Sequence, residues 1–436
     1  MKFEPVNWGE IMPAESRGDS AGALNKPLNS DCESKIIELL KKGVRIPSPH
    51  CVEIGDEVDS DRISGENVVI HSGSRIFGSK TLILENTRLG YEGPVTIENC
   101  QIGSNVELKG GFFRGAVFLD KAQCGLGAHV REGTILEEQA SIAHTVALKQ
   151  TILFPFVTLG SLINFCDCLM AGGTSRKNHS EVGSSYIHFN FTPSQDKATA
   201  SLIGDVARGV MLNQNPIFLG GQGGIVGPCR LGFGITVAAG TIVRKDETRS
   251  DRLIMGGAGK GGNVAFRPGR FRGDKRIVGN NIIYIANLIA LRQWYDQVRS
   301  LFVSKRFPRA LLEALQENVD LALEERINRL EAVCHKKPAG VRQEPATKSL
   351  KLALELYEHW PELKEAFNRT AAGAAGGRLR DQFLSSIRQG ISNFGPDYIR
   401  VIQGLDPADS AVGTRWLQGI IEDAMAESKK IIPSLF

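Results

Sequence analysis

The stretch from Arg176 to Lys197 brings His179, Glu181, His188 and Asn190 together with the cations Arg176, Lys177 and Lys197. Those residue types fit acyl transfer from a thioester to an amine. The amine must lose a proton to a general base. The developing oxyanion needs a donor, and phosphates on donor or acceptor need cations. His179 or His188 fits the base and Asn190 fits the donor or a positioning group. Arg176, Lys177 and Lys197 fit phosphate contacts. The competing reading is a solvated, charged loop in which both histidines are bystanders. His179, Glu181 and His188 lack the spacing of a zinc site, so no metal is expected.

Such a cluster needs a rigid frame. Aliphatic residues recur every six positions on both sides of it: Ile70, Ile76 and Leu82 before it, and Leu219, Ile225, Leu231, Val237 and Val243 after it. A period of six matches neither the 3.6 of a helix nor the 2 of a half-buried strand. It predicts short strands joined by tight corners, one aliphatic residue per strand facing a narrow axis, with each coil stacked on the next. Glycine follows several of these residues, as in Leu159-Gly160 and Leu231-Gly232, where a corner needs unusual backbone angles. The phasing lapses at 110–124 and at 171–215. The second lapse holds the titratable cluster, and excursions from a rigid scaffold are where function concentrates.

The chain divides accordingly. Residues 1–29 read as a loose arm, 30–50 as a helix and its exit, and 51–250 as the β-helix with an inserted loop near 171–215. Residues 251–276 form a Gly-rich basic connector, and 277–436 a helical domain in which nothing reads as a catalytic motif. In the connector, Lys260 and Arg267 are candidates to hold a cofactor phosphate, against the simpler reading of a solvated linker. Gly256–Lys260 lacks the spacing of a phosphate-binding P-loop.

The chain has 436 residues, 42% of them hydrophobic and 23% charged, enough apolar content for a sizeable core. A net charge of +4 gives no reason to expect nucleic acid or a membrane surface as partner. Met1–Ala23 is polar, unlike a secretory leader, and no apolar run reaches the length of about 18 residues that suggests a span. The eight cysteines are scattered without a disulfide or metal pattern, Cys166 and Cys168 reading as buried packing. A reducing cytoplasm is the expected location.

Residues 34–250 resemble the C-terminal half of the bifunctional N-acetylglucosamine-1-phosphate uridyltransferase/glucosamine-1-phosphate acetyltransferase, a hexapeptide-repeat family. The likeness starts at Ile37-Glu38-Leu39-Leu40-Lys41-Lys42-Gly43-Val44 and runs through the hexapeptides. It is most specific at Lys177-Asn178-His179-Ser180-Glu181-Val182-Gly183, which is similar to that family's K-x-G-H-L-x-Y-x-G. Phe189-Asn190-Phe191 resembles its C-N-Y-D-G loop. The resemblance implies a left-handed parallel β-helix with His179 as base for the sugar amine and Asn190 as a sugar contact. It makes Lys197 a phosphate contact and sets acetyl-CoA along the coils that include Gly220 and Ala238. It also implies a homotrimer with sites between neighbouring β-helices.

The departures are specific. The family's L-x-A-G-x-G-T-x-M nucleotidyltransferase signature is absent, so pyrophosphorylase activity is not expected. Its E-M-K-K strand appears as Asn164-Phe165-Cys166-Asp167, which loses a phosphate-binding lysine. Its tyrosine after the histidine is Val182, with Tyr186 as the candidate replacement. The helical tail is foreign to the family. Two functions follow as expectations. One is a CoA-dependent acyltransferase acting on an amino sugar or sugar phosphate, with glucosamine-1-phosphate as the family's acceptor. The other is a non-catalytic hexapeptide-repeat protein binding a nucleotide-sugar or a partner protein.

Overall fold

The period of six produces a parallel β-solenoid of about 11 turns, followed by a helical region. The computed structural model describes residues 30–190, 197–256, 275–335, 348–373 and 377–435. Helix α1 (Ser30–Lys42) precedes the first coil.

The solenoid has three faces. The first is a 10-stranded sheet running from Val69–Ile70 to Leu253–Ile254. Its inward positions are Ile70, Leu89, Leu108, Cys124, Ile142, Leu159, Val182, Leu219 and Val237, aligned coil upon coil and all buried. Burying each of the large aliphatic side chains contributes about 1.5–3 kcal/mol. The other two faces form a 16-stranded sheet. They share the strands Ala147–Leu153 and Asn164–Met170, which turn from the second face to the third at Gln150 and Asp167, with φ of 51° and 62°. Asparagine tolerates that left-handed backbone and supplies other corners at Asn67, Asn86 and Asn105. Asn67 Nδ2 donates to Asn86 Oδ1 at 3.0 Å, tying one corner to the next.

The lapse in phasing at 110–124 is not a break in the solenoid. Leu108 stands opposite Cys124 and Ile102 opposite Phe118, 16 positions apart, whereas Val130 and Leu148 are 18 apart. Two successive corners, Leu108 to Phe113 and Phe113 to Phe118, are each one residue short, which shifts the period while the coils stay stacked.

The stretch 171–215 is likewise a coil rather than one inserted loop. It contributes Glu181–Val182 to the first face, Ile187–Phe189 to the second and Ser201–Ile203 to the third. Two excursions are seen among the described residues. Leu153 and Leu159 bracket the corner from third to first face at six positions; on the next coil their partners Met170 and Val182 are twelve apart. The extra residues form a hairpin of Gly173–Ser175 against Asn178–His179. One coil further on, the same corner carries α2 (Val206–Gly209). Between Ile187–Phe189 on the second face and Ser201–Ile203 on the third, residues 191–196 lie outside the described residues.

The turn at Asp167 corrects one expectation. Cys166 and Cys168 do not share one side of a flat strand. They flank a corner, with Cys168 buried and Cys166 half-buried.

The helical region comprises α3 (Lys275–Gln297), α4 (Arg309–Cys334), α5 (Lys348–Ala372), α6 (Arg378–Phe394), α7 (Tyr398–Gln403) and α8 (Pro407–Ile431). It does not hang free from a linker. Helices α3 and α4 pack on the third face, and their apolar residues join one continuous core with the solenoid. Polar pairs fix the docking. Arg326 of α4 meets Asp167 at 2.8 Å, with both side chains nearly fully buried. Arg299 meets Glu138 at 2.5 Å, and Tyr295 Oη donates to Glu137 at 2.5 Å. Asn281 Nδ2 donates to the Ala198 carbonyl, and Asn287 Oδ1 accepts from the Val206 amide. Among the described residues, no helix is long and apolar enough to cross a membrane.

Candidate functional site

The Gly173–His179 hairpin is the excursion that carries the candidate base. Gly172 and Gly173 have φ of 104° and 98°. A Cβ on Gly173 would stand 2.6 Å from the His179 Cα, so only glycine lets the two strands close this tightly. His179 Nδ1 lies 2.9 Å from the Arg176 carbonyl oxygen. A carbonyl only accepts, so the proton sits on Nδ1 and, in the neutral ring, Nε2 keeps its lone pair. Glu181 Oε2 is 3.8 Å from that Nε2, too long for a hydrogen bond. The His179 side chain is part-exposed. In this tautomer the neutral ring offers Nε2 as a proton acceptor at a part-exposed position.

Arg176 does something other than bind phosphate. Its Nη1 donates to the Gln139 carbonyl at 3.0 Å, the Phe156 carbonyl at 3.1 Å and Thr158 Oγ1 at 2.8 Å. The guanidinium is committed to two preceding coils and pins the hairpin tip to the solenoid, while its own carbonyl orients His179. Lys177 is exposed at the tip, and its amide donates to Ser175 Oγ.

His188 cannot serve as the alternative base. It occupies the inward position of its strand, in register with Phe165 and Ile225, where other coils place an aliphatic residue. Burial, helped by the nearby Arg326, lowers its pKa to about 4. Its Nε2 is engaged with Ser201 Oγ at 2.8 Å. His188 is a polar core residue, neutral at physiological pH. With it inside and His179 outside, the three residues of a zinc reading do not converge. Tyr186 is also internal, fully buried edge-on to Phe165 at 6.2 Å. Burial pushes its hydroxyl pKa up. Neither expected role, base for His188 or substrate contact for Tyr186, fits these positions.

Asn190 and Lys197 are exposed, and Asn190 Oδ1 accepts from Thr199 Oγ1 at 2.8 Å. They flank the corner between the second and third faces. His179 stands at the corner between the third and first. One chain therefore does not bring Asn190 and Lys197 beside His179. Gly220 has a packing reason of its own: a Cβ there would lie 2.4 Å from the Ala239 amide of the next coil. Ala238 is half-exposed at the next coil's corner. Lys260 and Arg267 lie outside the described residues.

Two features escaped the sequence. Asp167, at the position where a lysine was missed, is neutralised by Arg326 from 159 positions downstream. Gln403 of α7 donates through Nε2 to the Thr174 carbonyl of the hairpin at 2.6 Å. No local pattern marks either partner, because both pairings depend on how the helices dock.

Fold and hairpin together define a hexapeptide solenoid bearing an outward histidine on one corner. No family model matches the chain. Curated relatives do, and they belong to the family that the repeats resemble. The chain is similar to the bifunctional protein GlmU of Thermotoga petrophila, 29% identical over 213 residues, which is 49% of this chain and 42% of that protein. The GlmU of Pelobacter propionicus is 26% identical over 249 residues, 54% of this chain and 45% of that protein. For the GlmU of Staphylococcus haemolyticus the figures are 25% over 256 residues, 58% and 49%. The chain thus spans less than half the length of the curated relatives it matches.

Proposed function

We propose that this protein is a CoA-dependent N-acyltransferase acting on an amino sugar or sugar phosphate, with His179 Nε2 as the general base. The observation that carries this reading is the His179–Arg176 hydrogen bond, which puts the neutral ring's proton on Nδ1 and its lone pair on Nε2, at a part-exposed corner. The likeness to GlmU proteins supports it. Acetyl-CoA would lie along the later coils, near Gly220 and Ala238. Asn190 and Lys197 would come from a neighbouring copy, because they occupy a different corner from His179; a homotrimer of solenoids supplies such pairs of corners by cyclic symmetry. The cytoplasm, where acyl-CoA is available, is the proposed location.

One observation favours a second reading, in which the solenoid binds a nucleotide-sugar or a partner protein without catalysis. The place of a phosphate-binding lysine is taken by Asp167, and Arg326 fills the space over it. An acceptor without a phosphate at that point reconciles this with catalysis. The deciding experiment is acetyl transfer from acetyl-CoA to a panel of amino sugars, with and without a 1-phosphate, by the protein and by His179→Ala. Equal rates in the two proteins would remove His179 as base. Calorimetric binding of a UDP-sugar with none of acetyl-CoA would favour the second reading.

A further inference from the structure

The hairpin that carries His179 is held from two sides. On the solenoid side Arg176 donates to Gln139, Phe156 and Thr158. On the other side the side-chain amide of Gln403 donates to the Thr174 carbonyl at 2.6 Å and to the Leu212 carbonyl at 3.3 Å. Thr174 is in the first strand of the hairpin and its Oγ1 accepts from Asn178 Nδ2, at 2.9 Å, in the second. Leu212 belongs to the α2 excursion on the next coil, with φ of 54°. One amide therefore ties two neighbouring excursions to the helical region.

The tie is only as firm as the helix that bears it, and α7 is firmly anchored. Asp397 caps it by accepting from the Arg400 amide at 3.1 Å. At its first residue, Tyr398 Oη accepts from Trp294 Nε1 at 3.1 Å, and the Arg299 guanidinium lies 3.8 Å from the centre of the Tyr398 ring. Arg299 is itself paired with Glu138 of the solenoid. A continuous chain of contacts thus runs from a solenoid coil through α7 and back to the hairpin. Gln403 sits at its end, at the last residue of α7, with an exposed side chain that contributes little to the core.

We propose that Gln403 is a positioning residue for His179, so that the helical region forms part of the acyl-transfer site rather than an appended module; this rests on the reading of His179 as the base. Gln403 touches no reacting atom. It fixes the strand opposite His179, and with Arg176 it determines where the imidazole stands. A misplacement of about 1 Å is enough to cost an aligned base much of its effect.

The test uses the full chain with Gln403→Ala and Gln403→Lys. The second keeps an N–H donor of similar reach. Nitrogen-15 spectra of His179 report the imidazole tautomer, and amide exchange reports the hairpin. In Gln403→Ala, the His179 signals are expected to shift toward a mixture of tautomers, and hairpin amides to exchange about five to tenfold faster, as loss of one hydrogen bond implies. The kcat is expected to fall about tenfold with KM unchanged, and Gln403→Lys to restore most of all three. Unaltered His179 signals and unaltered hairpin exchange in Gln403→Ala would overturn the proposal. If His179→Ala instead matches the unsubstituted protein in transfer, the base assignment fails, and the spectra and exchange rates still decide whether Gln403 positions the hairpin.

Discussion

The Nδ1 atom of His179 stands 2.9 Å from the carbonyl oxygen of Arg176, three residues earlier across the hairpin tip. The bond sets the tautomer of the ring by main chain alone, without the carboxylate that often orients a catalytic histidine. Its strength depends on where the Arg176 backbone is held, and the Arg176 side chain does the holding.

Replacing His179 by Ala is expected to lower kcat for acyl transfer about 10²–10⁴-fold, the usual loss for a general base. Binding of acetyl-CoA, measured by calorimetry, should stay unchanged. A variant as active as the unsubstituted protein would exclude the role.

Arg176→Ala distinguishes an anchor from a phosphate contact. A lost phosphate contact raises KM and spares kcat, whereas a lost anchor lowers kcat and leaves KM nearly constant. We expect the second pattern, because the guanidinium already donates to three solenoid oxygens. Steady-state kinetics with varied acceptor separate the two.

Arg326→Met leaves Asp167 buried without its cation. Removing one partner of a buried pair costs about 3–5 kcal/mol, so the denaturant midpoint should drop sharply. The double substitution Asp167→Asn with Arg326→Met removes the stranded charge and should recover much of that loss. An unchanged midpoint in Arg326→Met would contradict the buried pairing.

Glu137 supplies a pH dependence. Burial and the adjacent Glu138, opposed by Arg299 and Tyr295, raise its pKa from 4.5 to about 7. The folded state therefore binds this proton more tightly than the unfolded state. Its effect on stability is unfavourable as pH rises from about 4.5 to about 7 and is complete above that. Glu137→Gln is expected to be the more stable protein at pH 8 and to lose that advantage by pH 4.5. Denaturation curves at the two pH values check the sign.

Much of the fold was written in the chain, because a solenoid repeats one local rule. Leu219, Ile225, Leu231, Val237 and Val243 each face the axis for the same reason, and the six-residue spacing exposes that reason. The site was legible in part. The titratable cluster around His179 marked the right coil, but residue type alone did not distinguish the two histidines. Val182 and His188 stand six apart on successive faces, but the hairpin before them and α2 after them interrupt the runs of six that include Leu159 and Leu219. Arg176 looked like a phosphate ligand because its three partners are carbonyls and a hydroxyl, groups that leave no mark in a sequence. Gln403 and Arg326 lie far downstream, in helices whose docking no repeat encodes.

The sheathing of the third face has a geometric consequence. The two corners that bear His179 and Asn190 are the two edges of that same face, so α3 and α4 run between them. Any cleft formed by joining one copy's His179 corner to another copy's Asn190 corner opens beside these helices. Its walls would then be partly helical, and the bulk of the molecule admitted would be gated by helix side chains that no bare solenoid possesses.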